Sequence, residues 1–345
     1  MRNDIKKVFY NALTLALHSS YAELRRCDDS FNDWIEAWKA VRHNHPQIDP
    51  EKEFSLLQKH QVELILREDD HFPAALREIP LSPFGIYIQG KIPQKNQIAV
   101  VGTRKPTDLG KKMALDFSSH LAKQGLGIVS GLALGIDAAA HEGSLEAQGY
   151  TAAVLARGLD KVYPSLHSGL AKRIIKSGGA LISEYPLGTT PLPYRFLERN
   201  RIVSGLTKGV LMIEVPQRSG AMATGRFALE QNREVWVTPG SIYEKNYGGS
   251  HNLIREGATL VTRPQDILES IGITPTSSKE VALNLSSQEI VIFDVLKKAA
   301  QPLSVDKISE VVNLDIRIVG QNMTYLLMKE IVTETPRGFT TTLSI

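Results

Sequence analysis

Apolar residues along the chain change rhythm twice. Up to residue 65 they recur at helical intervals, as in Val8, Leu13, Leu15 and Leu17, then Trp34, Ile35 and Trp38, which predicts a small helical N-terminal domain over 1–65. Pro73, Pro80 and Pro83 interrupt the next stretch, which ends in the strand-like Gly85-Ile86-Tyr87-Ile88-Gln89-Gly90. The segment 66–93 therefore reads as a connector packed on the domain C-terminal to it. Over 94–271, short apolar runs (Ile98-Ala99-Val100-Val101, Gly127-Ile128-Val129, Ala152-Ala153-Val154-Leu155, Ala180-Leu181-Ile182, Val210-Leu211-Met212-Ile213, Glu234-Val235-Trp236-Val237) alternate with amphipathic stretches such as Leu109, Met113, Phe117 and Leu121. That alternation predicts an α/β fold with a doubly wound, mainly parallel sheet. Residues 272–287 are polar and turn-rich, as a linker is. Three helical stretches (288–299, 304–312, 317–329) and two short strand-like runs then predict a winged helix over 288–345.

Composition narrows the class. The single cysteine, Cys27, excludes an intramolecular disulfide framework and a Cys-based metal cluster. No uninterrupted apolar run reaches membrane-spanning length, and none follows Met1-Arg2-Asn3 as a signal core, so a soluble cytoplasmic protein is expected. Net charge is only +3, but its distribution is uneven. Residues 1–84 carry 11 Lys/Arg against 14 Asp/Glu, 85–270 carry 22 against 15, and 271–345 carry 7 against 8. The positive excess lies in the doubly wound segment, as in a polyanion-binding domain. The acidic balance of the last segment argues against a DNA recognition helix, and protein contact is expected there ahead of DNA contact.

Four regions of the middle segment gather glycines, hydroxyls or arginines at strand ends: Val101-Gly102-Thr103-Arg104-Lys105-Pro106-Thr107, Val129-Ser130-Gly131-Leu132-Ala133-Leu134-Gly135-Ile136-Asp137, Phe196-Leu197-Glu198-Arg199-Asn200-Arg201, and Arg218-Ser219-Gly220-Ala221-Met222-Ala223-Thr224. Turns after parallel strands share one edge of the sheet, where glycines let backbone N–H groups approach a phosphate. Arg104 and Arg201 can add bidentate grips. None of these turns reproduces Gly-x-Gly-x-x-Gly or a P-loop, so dinucleotide or ATP binding of the ordinary kind is disfavoured and no cofactor is expected. Phe196, in the irregular stretch 191–196, is either a base-stacking platform or a core plug. Ser130, Asp137 and His141 would make only a cramped triad. Asp137 complementing a helix N-terminus and His141 as a satisfied polar neighbour is the simpler reading. His43-Asn44-His45 lacks further ligands and reads as surface loop, and Tyr163-Pro164 reads as a turn.

With these segments assembled, the sequence resembles the DNA-processing protein A (DprA/Smf) family. The matching segments are AVVGTRKPTDLG (99–110), VSGLALGIDAAAH (129–141), VLARGLDKVYP (154–164), LISEYPLG (181–188), FLERNRIVSGL (196–206), SGAMATGRFALE (219–230), VWVTPG (235–240) and GGSHNLIREGA (248–258). The resemblance implies a homodimeric single-stranded-DNA-binding protein on an extended Rossmann-like domain. Such a protein protects DNA entering during natural transformation and helps load the RecA recombinase, without catalytic turnover. It also implies a DNA pocket with Arg104 on phosphate backed by Gly102 and Thr103, with Ser130 and Gly131 lining it. Phe196 would stack a base, Asn200 and Arg201 would complete the rim, and Ser219, Gly220 and Thr224 would form the last turn. Family members often carry a lysine shortly before the phenylalanine, and Arg195 stands nearby as its replacement from a different position.

The sequence departs from the family pattern at Leu197, Gly225 and His167. His18-Ser19-Ser20 stands where many members have a glycine-rich hairpin, so no DNA contact is expected from the N-terminal domain. The rival from another class is a nucleotide phosphoribohydrolase-like enzyme on a related Rossmann-type fold. It would display Pro-Gly-Gly-x-Gly-Thr where this chain has Ser219-Gly220-Ala221-Met222-Ala223-Thr224.

Overall fold

A computed structural model of the chain describes residues 2–92, 96–273, 285–299, 301–329, 331–336 and 338–341. It divides into two units, Met1–Thr274 and Pro275–Ile345. The first begins with α1 (Arg2–Ala16), α2 (Tyr21–Ser30), α3 (Trp34–Val41) and α4 (Pro50–Lys59), followed by β1 (Glu63–Leu66), α5 (Ala74–Arg77) and β2 (Gly85–Gly90). Local chemistry sets the helix starts. The Asp33 carboxylate accepts the N–H groups of Ile35 and Glu36, both at 3.0 Å, and Asp49 caps α4, where Pro50 occupies the first turn.

The alternating unit follows as β3 (Gln97–Gly102), α6 (Asp108–Lys123), β4 (Gly127–Ser130), α7 (Ile136–Glu146), β5 (Thr151–Leu155), α8 (Ser168–Lys176), β6 (Ala180–Ser183), α9 (Pro193–Gly205), β7 (Gly209–Ile213), α10 (Gly220–Glu230), β8 (Glu234–Val237), α11 (Gly248–Arg255), β9 (Thr259–Leu260) and α12 (Pro264–Ser270). Among the described residues these strands form one sheet of order β1-β2-β6-β5-β4-β3-β7-β8-β9. Its neighbours are parallel except β1–β2 and β2–β6. Side chains alternate across it. Ala99 and Val101 of β3 face a core shared with Ile202 and Val203 of α9 and Ala228 of α10, whereas Ile98 and Val100 face Ala114, Phe117 and Leu121 of α6.

Two expectations change. Residues 63–66 are a strand, not the end of a helical domain, and the strand expected at 85–90 pairs with β1 and β6, so 66–93 is part of the sheet and not a connector packed on it. Leu64 and Leu66 enter one core while Ile65 enters the other, a period of two that is too short to stand out beside the preceding helices. The N-terminal helices are also not a separate body. Trp34 meets Tyr10 edge-on at 5.1 Å and Phe84 at 5.6 Å, and their cluster continues into Leu155, Ile174 and Leu181.

His141 shows what burial in this unit costs. It is fully buried on α7 and donates from Nδ1 to the Thr151 hydroxyl at 2.7 Å, while that hydroxyl donates to the Ile128 carbonyl. It is therefore paired with β5 and not with Asp137. Burial, helped by the charges of His167 and Arg199, lowers its pKa from 6.5 to about 3. Between those values the unfolded chain holds a proton that the folded chain does not, so stability falls as pH drops through this window, by about 1.4 kcal/mol per pH unit. Only the part of the interval below pH 6.5 counts, so urea unfolding should show a loss of about 1.4 kcal/mol in total between pH 7.5 and 5.5 from this group, and His141→Asn should lose less by that amount. Equal losses for the two proteins would remove His141 as the cause.

The second unit contains α13 (Ser287–Lys298), α14 (Val305–Val312), α15 (Ile316–Met328), β10 (Val332–Thr335) and β11 (Gly338–Thr341). The two strands form an antiparallel hairpin, and Leu303 bridges to Phe339. Ile292, Leu296, Ile308, Val319, Met323 and Leu326 fill its own core. No helix among the described residues is long and apolar enough to cross a membrane.

Candidate functional site

Strand β3 lies between β4 and β7, so the chain winds away from it in both directions and opens a crevice beyond the carboxyl ends of these strands. That crevice has a volume of about 920 Å³. Its floor begins at Gly102, where an added Cβ would lie 1.9 Å from the Ile213 carbonyl oxygen, so only glycine lets β3 and β7 end side by side. The loop after β3 is held by Glu214, itself buried with φ 47°. The Glu214 carbonyl accepts from the Thr103 N–H at 3.1 Å. Its carboxylate accepts the Thr107 N–H at 2.9 Å, the Thr107 hydroxyl and the Asn246 side-chain amide. Thr103 is thereby fixed and buried, while Arg104 and Lys105 stand exposed on the rim.

The opposite wall is α9. Residues 193–205 form one continuous helix beginning at Pro193, so Phe196 sits in its first turn and not in an irregular stretch. Helical spacing then turns Phe196, Arg199, Asn200 and Val203 to the crevice. The Arg104 guanidinium lies over the Phe196 ring at 5.5 Å, and Tyr163 packs against the same ring at 5.6 Å. Asn200 donates to the Gly220 carbonyl at 3.1 Å, tying α9 to the start of α10, where Ser219, Gly220 and Thr224 complete the wall.

Arg199 is buried beneath this surface and donates to the carbonyls of Gly131, at 2.8 Å, and Val154. An added Cβ at Gly131 would meet its guanidinium at 2.6 Å. Burial lowers the Arg199 pKa to about 10 against the pull of Asp137, so it stays charged at neutral pH. Burial also raises the Asp137 pKa, opposed by Arg199 and by the N–H groups of Ala133 and Gly131. Asp137 thus holds the turn after β4. Ser130 also helps to lower the Asp137 pKa, but its hydroxyl donates to the Val100 carbonyl at 2.6 Å and His141 pairs with Thr151, so the three form no triad.

Of the twelve residues expected at the site, Gly102, Thr103, Arg104, Gly131, Phe196, Asn200, Ser219, Gly220 and Thr224 line the crevice. Three do not. Ser130 is fully buried inside the β4 end. Arg201, five residues beyond Phe196, falls on the far side of α9 and pairs with Glu184 at 2.5 Å. Arg195 precedes Phe196 by one position and turns away from the crevice toward Tyr185 and Thr190. Three lining residues were not assigned to the site from sequence: Arg199 and Arg218, which stand inside the third and fourth turn regions, and Tyr163, read as shaping a turn. The first lies three residues after Phe196, a spacing that singles it out once the stretch is seen to be helical.

The site thus belongs to a Rossmann-like α/β protein with a basic, aromatic-bearing crevice at the topological switch point. The chain is a member of the DNA recombination-mediator protein A family, whose pattern it matches over residues 63–272. It is 41% identical over 228 residues to protein Smf of Escherichia coli, covering 66% of this chain and 61% of that one. It is 37% identical over 203 residues to DNA processing protein DprA of Bacillus subtilis, covering 58% and 68%. The chain spans about six tenths of the length of the Smf proteins of E. coli and Synechocystis. Among solved structures, DNA processing protein A of Streptococcus pneumoniae superposes with a TM-score of 0.61 at 33% identity, over 76% of this chain and 92% of that one. The Helicobacter pylori protein, whose structure is described for its single-stranded DNA binding mode, does so with 0.55 at 28%, over 61% and 95%.

Proposed function

We propose that this chain binds single-stranded DNA in the crevice and does so without catalytic turnover. The observation that carries the reading is the exposed Arg104 guanidinium over the face of Phe196, beside glycine turns at the switch point. Such a pair joins a phosphate donor to a stacking platform, which serves any sequence because every base has a π-face. Lys105 and Arg218 extend the positive rim. Among the described residues Asp137 is the one carboxylate on the crevice wall, and its Oδ2 accepts the backbone N–H groups of Gly131 and Ala133, a structural role that favours binding over hydrolysis. In the cell the protein acts on recombining DNA as a homodimer, protecting strands that enter during natural transformation and helping to load RecA. The three helices and hairpin of the second unit form a winged helix that contacts protein.

A gel-shift comparison tests this reading. Single strands of unrelated sequence should shift at similar protein concentrations, and duplex of equal length should bind more weakly. Residues 1–274 alone should retain the preference. Equal binding of duplex, or release of free base from nucleoside monophosphates, would count against it.

A further inference from the structure

On the other side of the α9 N-terminus lies a second cavity, of about 320 Å³, lined by Thr14, His18, Ser19, Gly188, Thr190 and Arg195 among others. Arg195 is only 6% exposed. Its Nη1 donates to the Thr190 carbonyl at 2.6 Å, and its guanidinium lies 5.3 Å from the Tyr185 ring centre and 5.5 Å from that of Tyr194. Its Nε has no partner, and no carboxylate among the described residues forms an ion pair with it. The Ser19 hydroxyl on the same cavity is likewise buried and unpartnered. A buried guanidinium without counter-charge is costly, and cations are rarely buried unpaired. An anion with several acceptor oxygens would satisfy both groups through charge-assisted hydrogen bonds.

The chain itself links this cavity to the crevice. Thr190 lines one and Pro191 the other, and Arg195 and Phe196 divide in the same way. Consecutive Cα atoms are about 3.8 Å apart, so the two cavities flank one short stretch of backbone around the α9 N-terminus. Resting on the single-strand reading above, we infer that this cavity seats a phosphodiester of the bound strand, held by Arg195 and Ser19. The N-terminal helices then contribute to DNA binding through a hydroxyl and not through glycine amides. The turn that presents this hydroxyl is formed without glycine, with His18 at φ 51° and Ser19 at φ 58°.

The test uses the full chain and fluorescent oligo(dT) of about 4 and about 12 nucleotides, bracketing usual single-strand site sizes. Arg195→Gln should weaken the longer strand about tenfold and reduce its log–log salt slope by about 0.7, leaving the shorter one unchanged. Ser19→Asp, which supplies a carboxylate inside the cavity at a left-handed position that Asp tolerates, should give the same loss while raising Tm. It guards against misfolding of the first variant. Wild-type affinity and slope in both variants would overturn the inference, as would equal loss on both lengths. Inorganic phosphate raising the Tm of wild type but not of Arg195→Gln, with oligonucleotide binding unaffected, would reassign the cavity to a small phosphate and overturn the strand assignment. Arg104→Ala should weaken both lengths, so an unaffected Arg104→Ala marks failure of the crevice reading alone.

Discussion

Replacing Arg201 by alanine is expected to cost about 3–5 kcal/mol of stability, because it strands a buried carboxylate. Nη2 of Arg201 donates to both oxygens of Glu184, at 2.6 and 2.5 Å, and the guanidinium lies 5.6 Å from the centre of the Tyr21 ring. Both charged residues are less than a tenth exposed. The contact joins α9, the segment after β6 and the N-terminal helices, so its loss should loosen the whole first unit. Urea unfolding measures the cost. In conditions where the variant remains folded, the salt dependence of single-strand affinity should match wild type, since no phosphate contact has been removed. A shallower slope together with unchanged stability would return Arg201 to the DNA. Arg201→Met combined with Glu184→Leu should recover much of the loss, because an apolar pair of similar volume avoids the desolvation of two ions.

The contrast between Arg201 and Arg199 shows where the sequence was legible. The strands of the parallel sheet were plain, because four-residue apolar runs flanked by glycine turns have few other uses, and the turn after β3 followed from them. Helix α9 was not plain. Leu192-Pro193 reads as broken chain, yet proline is well suited to the first turn of a helix, where its missing N–H costs nothing. Read as a loop, 196–201 offers every side chain to the ligand. Read as a helix, it divides them by phase: Arg199 falls beneath the crevice, holding the Gly131 and Val154 carbonyls, and Arg201 falls on the far side against Glu184. Partners distant in sequence were beyond reach for another reason. Nothing in the local pattern announces that Glu214 pins Thr107, or that Tyr163 packs on Phe196, since these pairings arise only when the sheet brings separate turns together.

Arg104→Ala should weaken binding to all single-stranded sequences alike, by about 1–3 kcal/mol, the range for a lost hydrogen bond to a charged group. Its log–log salt slope should fall by about 0.7, the contribution of one phosphate contact on a single strand. Phe196→Ala removes a platform worth roughly 1–3 kcal/mol per base, and its effect should shrink on abasic strands, which have nothing to stack. The two losses should not add. Arg104 lies over the Phe196 ring, so the ring also positions the guanidinium, and a cation–π contact of about 0.5–1 kcal/mol at an exposed site is lost in either variant. The double variant should therefore lose less than the sum of the singles by about that amount. Strict additivity would mean that the ring and the guanidinium act on separate parts of the strand. Equal Phe196→Ala losses on abasic and ordinary DNA would mean that the ring serves only to hold the arginine.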